Sequence, residues 1–210
     1  MTSQVFCVII FIVKEIDLMG GVEPVDIGVD IDNILVNTTE CVLEWLAERG
    51  APKKTIQDIT IYYLENNYPT EYHMLIKEAF ESKYMWKKIR LIEGAYDNLQ
   101  KLYNDEHSLY FVTSSLPENL RKKIGHLARN LDFFPDNYIW RNTVNIHNKQ
   151  LLDLDVHIDD FYNNLCGKRQ YTSICYNYPW NVKETAKDKS IITANNWDEI
   201  YTIISSLNCE

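Results

Sequence analysis

The hydrophobic positions of this chain form short apolar runs that alternate with stretches of helical spacing. Apolar-rich runs at residues 25–30 and 108–112 predict buried strands, because strands covered on both faces are almost continuously apolar. Shorter runs predict further strands at residues 138–140, 155–158, 173–176 and 190–193. Apolar residues spaced three and four apart predict helices at residues 38–49, 95–103, 117–130 and 197–207.

This order of elements predicts an α/β fold with a parallel sheet flanked by helices and joined by right-handed crossovers. Gly50 follows the first predicted helix, at the place where a C-cap requires a left-handed residue. In open parallel sheets, ligands bind beyond the carboxyl ends of the strands. We therefore expect a functional site at that edge.

Residues 51–91 have helical periodicity, many aromatic residues and no convincing strand, and we interpret them as a small helical insertion. The predicted organisation is an N-terminal extension at residues 1–20, an α/β core at residues 21–40 and 92–210, and a helical cap at residues 41–91. The aromatic rings either stack on a ligand or form the small core of the insertion itself. They are Tyr62, Tyr63, Tyr68, Tyr72, Phe80, Tyr84 and Trp86.

The N-terminal residues 5–13 are apolar, but nine residues are too few to span a bilayer as a helix. No basic region precedes them and Lys14 and Glu15 follow, which is unlike a secretory signal. Three readings stay open: an extra strand, a membrane-surface segment, or an extension upstream of a start at Met19. We favour the extension or a loosely attached strand.

The chain of 210 residues has a net charge of −9, and none of its runs of basic residues supplies a basic face. A general duplex-binding protein needs a basic face that displaces counterions from phosphates, so this class is excluded. The nearest candidate, Arg121, Lys122 and Lys123, is interpreted as the solvated face of a helix. An acidic surface is still compatible with a small phosphorylated substrate bound through a metal and local cations.

The five cysteines form no C-x-x-C pair and have no zinc-site spacing. An odd number of scattered cysteines indicates reduced, mostly buried thiols in a reducing compartment. This predicts a cytoplasmic protein.

Two aspartates, Asp30 and Asp32, directly follow the first predicted strand. One of such a pair can attack phosphorus while the other serves as general acid and then as base. Alternatively, both cap the next helix. Thr113, Ser114 and Ser115 follow the second strand, where hydroxyl and backbone N–H groups suit phosphate oxygens or simply cap the next helix.

Lys149 precedes a run that ends in Asp159 and Asp160. A lysine beside clustered carboxylates can steady a transferring phosphoryl group, and adjacent acids at a strand end can complete an oxygen-only magnesium site. The alternatives are a surface lysine and a solvated turn. The order of these groups along the chain is more informative than any one of them.

That order resembles the haloacid dehalogenase superfamily of phosphatases, and most closely its 5′(3′)-deoxyribonucleotidases. VDIDNILVN resembles the first motif, LYFVTSS the second, and Lys149 with Asp159 and Asp160 the combined third and fourth, K-x9-D-D. The segments IEGAYDNLQKL, YNYPWN and NNWDEI are also similar to the family. The resemblance covers roughly residues 25–205.

The resemblance implies a phosphoric monoester hydrolase that acts on (deoxy)nucleoside monophosphates through an aspartyl phosphate. Asp30 would be the nucleophile, Asp32 the acid and base, and Lys149 a balancing charge that also contacts the phosphate. The phosphate would bind Thr113 and Ser114. The implied cofactor is Mg²⁺, held at Asp30, at Asp32 through its backbone carbonyl, and at Asp160, with Asp159 shaping the site.

The resemblance also implies that the cap closes over a nucleoside. Phe80 and Trp86 fall where the family has cap aromatics, joined by Tyr62 or Tyr63. The implied partner is a small-molecule nucleotide, without a stable nucleic-acid complex or a membrane, and a homodimer is left open. Two rival hypotheses stay: a phosphatase for another metabolite or for nucleic-acid 3′ ends, and a catalytically silent binding protein.

Three positions depart from the family's pattern. Asn33 stands where a glycine is usual after the second aspartate, which bears on the turn. Thr38 replaces an aromatic residue near the base, and His147 replaces an arginine. These departures concern substrate choice more than chemistry.

Overall fold

The structure, a computed structural model, describes residues 23–82, 85–167 and 171–207. In these residues six parallel strands form one sheet in the order β3-β2-β1-β4-β5-β6. The strands are β1 (Asp26–Asp30), β2 (Ser108–Thr113), β3 (Thr143–Asn145), β4 (Val156–Asp159), β5 (Thr172–Tyr176) and β6 (Ile191–Ala194). The predicted extension at residues 1–20 and the aromatic Tyr84 lie outside the described residues.

Helices connect the strands and flank the sheet, so the predicted α/β fold is confirmed. They are α1 (Thr38–Ala47), α2 (His73–Glu81), α3 (Met85–Lys88), α4 (Ala95–Asn104), α5 (Pro117–Asn130), α6 (Tyr138–Arg141), α7 (Tyr162–Leu165), α8 (Val182–Thr185) and α9 (Trp197–Leu207). Single 3₁₀ turns lie at Ile56–Asp58, Leu64–Asn67, Thr70–Tyr72 and Lys149–Leu151. No helix in the described part of the chain is long and apolar enough to cross a membrane.

Strand β1 lies at the centre of the sheet, between β2 and β4. Its Ile27 and Val29 are completely buried. Gly28 lies close to its neighbours, because a Cβ atom there would lie 2.5 Å from Leu154 Cδ1 and the Leu154 side chain would have to move. The chain runs from β1 to β2 and β3 on one side of β1 and then crosses to β4 on its other side, which makes the carboxyl end of β1 a topological switch point.

The predicted strand at residues 138–140 was wrong, because these residues begin helix α6 and strand β3 follows at Thr143–Asn145. A three-residue apolar run has too little periodicity to distinguish the two structures. Asn137, in the left-handed conformation with φ of 64°, starts the helical turn. The amide of Asn142 then donates to the Tyr138 carbonyl, closing one turn.

The chain between α1 and α4 contains 3₁₀ turns and the short helices α2 and α3, with no named strand among its described residues. Gly50 has φ of 85°, the left-handed conformation expected for a C-cap. At the other end of the chain, Trp197 of α9 is fully buried and its Nε1 donates to the Ile34 carbonyl at 2.9 Å. The closing helix is thus fixed to the loop that follows β1.

Candidate active site

Three carboxylates meet at the carboxyl ends of β1 and β4. Asp30 ends β1, Asp159 ends β4, and Asp160 follows directly. All three are buried, and one oxygen of each lies within 4.8 Å of the others. They meet because β1 and β4 pair in parallel, with Val29 opposite Ile158.

Lys149 supplies a cation to this cluster from the turn before β4. Its Nζ donates to Asp30 Oδ1 at 2.6 Å and to Asp159 Oδ2 at 2.7 Å. Burial lowers the pKa of Lys149, but the two carboxylates together outweigh burial and raise the pKa overall. Lys149 is therefore a buried, charged side chain that joins the ends of the two central strands.

The carboxylates carry more negative charge than Lys149 can balance. Burial raises the pKa of Asp30 to about 7; Lys149 opposes this rise, and Asp159 and Asp32 add to it. Burial, followed by the charges of Asp159 and Asp30, also raises the pKa of Asp160 well above its ordinary value. A bound cation would relieve this excess of negative charge.

One oxygen of Asp160 shows that the donor set fits such a cation. Asp160 Oδ1 is buried and has no hydrogen-bond partner in the described residues, whereas Oδ2 accepts from Asn33 Nδ2 at 3.0 Å. A buried carboxylate oxygen without a partner is costly unless it binds a ligand. With Asp30 close by, the site offers only oxygen donors, which is the set that Mg²⁺ prefers.

Asp159 differs from its neighbour because both of its oxygens are already engaged. Oδ2 accepts from Lys149 and from Asn164 Nδ2 at 3.0 Å, and Oδ1 accepts from the Phe161 amide at 2.8 Å. Its geometry suits an anchor for Lys149 better than a metal ligand.

Asp32 lies at the side of the cluster, with about 30% of its side chain exposed. Its Oδ1 accepts from Thr38 Oγ1 at 2.7 Å, and its Oδ2 forms an ion pair with Lys123. Burial raises the pKa of Asp32, but the charge and hydrogen bond of Lys123, with the bond from Thr38, lower it overall. Asp32 is thus held by two donors at the edge of an open cavity.

The interpretation of residues 121–123 as a solvated basic face is wrong for Lys123. Arg121 is exposed, but Lys123 is only 5% exposed and its Nζ also donates to Thr113 Oγ1 at 2.9 Å. The signal was present in the sequence, because Lys123 lies four residues before buried Leu127 on the apolar face of α5. A lysine in such a stripe requires a buried acceptor, and Asp32 supplies it.

The hydroxyl residues at the end of β2 and directly after it lie beside this second cation. Thr113 is fully buried, and its Oγ1 is 3.2 Å from Ser115 Oγ. Ser114 Oγ is 3.5 Å from Nδ1 of His147, the residue that departs from the family's pattern. The Ser115 amide donates to Asn145 Oδ1 at 2.8 Å, which fixes the loop against β3. The predicted phosphate-binding residues are therefore brought to the same sheet edge as the carboxylates.

A cavity of about 220 Å³ separates Asp32 from the residues after α1. Its walls include Phe80 and Tyr63, two of the predicted substrate-binding aromatics, whereas Trp86 is not among its lining residues. Further walls come from Thr38, Glu65 and Trp180. Glu65 and Trp180 were not identified from the sequence.

Tyr62 forms the direct contact between the insertion and the end of β4. Its ring stacks on Phe161, with centroids 3.7 Å apart and planes 18° apart. Burial, followed by the charges of Asp160, Asp159 and other acids of the site, raises the pKa of the Tyr62 phenol. Sequence reasoning missed Phe161, although a large apolar residue directly after two site aspartates was a usable signal.

Comparison with known families identifies a match over residues 23–209 to the model described as 5′ nucleotidase, deoxy (Pyrimidine), cytosolic type C protein. A sequence comparison with curated proteins gives no match.

Similar solved structures include a HAD family hydrolase from Deinococcus radiodurans with bound phosphate and sodium. It has 14% identity and a TM-score of 0.57, over 88% of this chain and 96% of that one. A haloacid dehalogenase-like hydrolase from Streptococcus pneumoniae has 13% identity and a TM-score of 0.57, over 86% and 98% of the two chains. At these identities the likeness concerns the fold.

Proposed function

This chain belongs to the family of cytosolic type C deoxy (pyrimidine) 5′ nucleotidases, and we propose that it dephosphorylates (deoxy)nucleoside monophosphates with Mg²⁺ through an aspartyl phosphate on Asp30. It is a phosphoric monoester hydrolase with the haloacid dehalogenase fold. The observation that carries the proposal is the ion-paired cluster of Asp30, Lys149 and Asp159 beside the unpartnered Oδ1 of Asp160.

Asp30 and Asp160, with the backbone carbonyl of Asp32, would hold the divalent cation. Bound there, the cation supplies charge neutralisation for the phosphate, which otherwise repels an attacking carboxylate. The Deinococcus radiodurans hydrolase, which has a similar fold, contains bound phosphate and sodium, and this supports the proposal that a protein of this fold binds an anion and a cation.

In the first step, Asp30 attacks phosphorus. Lys149 holds Oδ1 of Asp30, so the other oxygen, Oδ2, forms the new bond while the phosphorus–ester oxygen bond breaks. Asp32, at the cavity side, gives a proton to the departing nucleoside oxygen. Because burial raises the pKa of Asp32 but Lys123 and Thr38 lower it overall in the substrate-free site, Asp32 takes up this proton together with the substrate. Lys149 balances the charge that develops on the phosphoryl group.

In the second step, water attacks phosphorus and releases Asp30. Asp32 now takes a proton from this water, and the bond between phosphorus and Asp30 breaks to give inorganic phosphate. Thr113 and Ser114 bind the phosphate oxygens throughout. Lys123 lies between Asp32 and Thr113, where a cation serves both the carboxylate and the anionic substrate.

The cavity beyond Asp32 suits the nucleoside. Phe80, Tyr63 and Trp180 present aromatic surface there, and a base stacked on such a ring gains about 1–3 kcal/mol. The acidic Glu65 in the same wall favours a base or sugar that donates hydrogen bonds over an additional phosphate.

We further propose a cytoplasmic setting and a free nucleotide as the partner. The free thiols of Cys41, Cys166 and Cys175 support a reducing compartment. The net charge of −9 supports a small substrate rather than a nucleic acid.

The test is phosphate release from a panel of 5′- and 3′-(deoxy)nucleoside monophosphates and sugar phosphates, with Mg²⁺ and with chelator. Mg²⁺-dependent release that favours deoxynucleotides is expected, and Asp30→Asn should abolish it while leaving the fold intact. A preference for a sugar phosphate would replace the nucleotide assignment. Release at the wild-type rate by Asp30→Asn would contradict the nucleophile assignment.

A further inference from the structure

Asn33 has an unusual backbone conformation directly after Asp32, in the loop that follows β1. Its φ is 58°, in the left-handed region that non-glycine residues seldom adopt and that asparagine tolerates better than most. Only 9% of the residue is exposed. A buried amide in this conformation must have its donors and acceptor satisfied in place.

Each polar group of Asn33 has a partner on a different segment. Its Nδ2 donates to Asp160 Oδ2 at 3.0 Å, and its Oδ1 accepts from the Thr39 amide at 3.0 Å. Its carbonyl accepts from the Tyr178 hydroxyl at 2.9 Å, and its own amide donates to the Val36 carbonyl at 2.8 Å. The side chain therefore connects the first turn of α1 to the residue after β4.

The two side-chain contacts fix the orientation of the amide. The Thr39 amide can only donate, so the atom of Asn33 that faces it must be the oxygen, Oδ1. The carboxylate of Asp160 accepts, so the atom of Asn33 that faces it must be the nitrogen, Nδ2. Exchanging the two atoms would break both bonds at once. Asn33 thus presents a fixed donor to Asp160.

That donor determines which oxygen of Asp160 is available. Oδ2 is engaged by Asn33, and Oδ1 is the buried oxygen without a partner in the described residues. The backbone of Asp160 is held as well, because its carbonyl accepts from Trp180 Nε1 at 3.2 Å and Asn181 Nδ2 at 2.8 Å.

The donor to Asp160 is neutral, whereas the neighbouring Asp159 is paired with the cation Lys149. A neutral amide orients Asp160 and leaves its negative charge for another cation. Among the described lysines and arginines, none forms an ion pair with Asp160.

We propose that Asn33 is the positioning residue for the divalent cation: its amide holds Asp160 so that Oδ1 faces the metal, and it links that ligand to the start of α1. The inference rests on the metal site of the proposed function. Residues that orient metal ligands in this way contribute about 10- to 100-fold to metal affinity.

The first experiment compares Asn33→Gly with Asn137→Gly, using Mg²⁺ alone in isothermal titration calorimetry. Glycine accepts the left-handed backbone at both positions, and Asn137 is an exposed residue with φ of 64° and no side-chain cap bond. The Mg²⁺ dissociation constant should rise about 10- to 100-fold in Asn33→Gly and stay at the wild-type value in Asn137→Gly.

A purely structural role gives a different result. In that case Asn33→Gly lowers the melting temperature of the metal-free protein but binds Mg²⁺ as tightly as wild type, and the proposal is overturned. Wild-type protein that does not bind Mg²⁺ overturns it too. If the wild-type protein binds Mg²⁺ but hydrolyses no substrate, the proposed function is contradicted. The inference about Asn33 is then decided by the Mg²⁺ dissociation constants alone.

A measurement on the wild-type chain keeps the proposal testable if Asn33→Gly does not fold. Mg²⁺ should slow hydrogen exchange of the Thr39 amide. A metal at Asp160 steadies the side chain of Asn33, and Oδ1 of that side chain accepts the hydrogen bond from the Thr39 amide. The Ser190 amide, which donates to Asp188 Oδ1, is the control and should not change. Equal exchange at Thr39 with and without Mg²⁺ would overturn the proposal.

Discussion

Lys123 forms a partly buried ion pair with Asp32, although 91 positions separate the two residues in the chain. The pair places a second cation at the site, in addition to Lys149. Lys123 also donates to Thr113, so it connects Asp32 to the end of β2. The site therefore has two lysines with different surroundings: Lys149 lies between two buried carboxylates, and Lys123 lies between Asp32 and Thr113.

Replacing Lys123 with methionine should lower kcat by about 10- to 100-fold, or ~1.4–2.8 kcal/mol in the barrier. The side chain keeps its apolar length, but Asp32 and Thr113 lose their shared cation. Steady-state kinetics on the best nucleotide would measure the effect. Lys122→Met, one residue away and half-exposed, is the matched control. Equal kinetics in both variants would show that Lys123 only supports the fold.

Removing the charge of Asp30 should change how stability depends on pH. Its folded pKa of about 7 lies above the ordinary 3.8, so the folded protein binds more protons than the unfolded chain between these values. This group's contribution is present at low pH and is lost as pH rises through about 7.

In the presence of chelator, the melting temperature of the wild-type protein should therefore fall further between pH 5 and pH 8 than the melting temperature of Asp30→Asn does. The difference corresponds to a free energy of unfolding of about 2–4 kcal/mol, since one pKa unit is worth about 1.4 kcal/mol. Added Mg²⁺ should reduce the loss in wild type. Parallel pH profiles of the two metal-free proteins would mean that Asp30 ionises freely in the folded state.

The stack of Tyr62 on Phe161 should contribute to substrate binding through its ring rather than its hydroxyl. Tyr62→Phe keeps the ring and should change KM less than twofold. Tyr62→Ala removes the ring contact and should raise KM about tenfold, which corresponds to ~1.4 kcal/mol of binding free energy. KM values for one nucleotide would distinguish the variants. If Tyr62→Phe is as impaired as Tyr62→Ala, the hydroxyl beside the carboxylates is the active group.

Two predicted substrate-binding aromatics should behave differently. Phe80 lines the cavity, so Phe80→Ala should raise KM about tenfold through lost stacking. Trp86 packs against the hydrophobic core, as Phe80 also does, but it does not line the cavity. Trp86→Ala should therefore lower the melting temperature and leave KM close to wild type. A large KM increase in Trp86→Ala would place this ring against the substrate and require the cap to rearrange.

The sequence predicted the features of the site that depend on local pattern. Strand ends carry Asp30, Thr113 and Asp159, and the parallel sheet brings such ends to one edge, so their proximity followed from the alternation of elements. The roles of Lys123 and Asn33 did not follow. Each depends on a partner more than 90 positions away, and no local periodicity specifies which carboxylate a lysine or an amide will meet.

The same limit explains the wrong strand at residues 138–140. A short run such as Tyr138, Ile139 and Trp140 is compatible with either structure, and the outcome is set by the pairing of Val144 with Val112. Local propensity alone therefore misplaced β3 by a few residues.

The hydrogen bond from Trp197 to the Ile34 carbonyl has a consequence for synthesis on the ribosome. The proposed nucleophile, the proposed acid and both lysines are all translated before residue 197, but the loop after β1 then still lacks its last donor. A buried carbonyl without that donor costs about 1–3 kcal/mol. A nascent chain that stops after β5 would carry every proposed catalytic side chain and would still lack this donor, so the loop after β1 completes its hydrogen bonds only once α9 has been made.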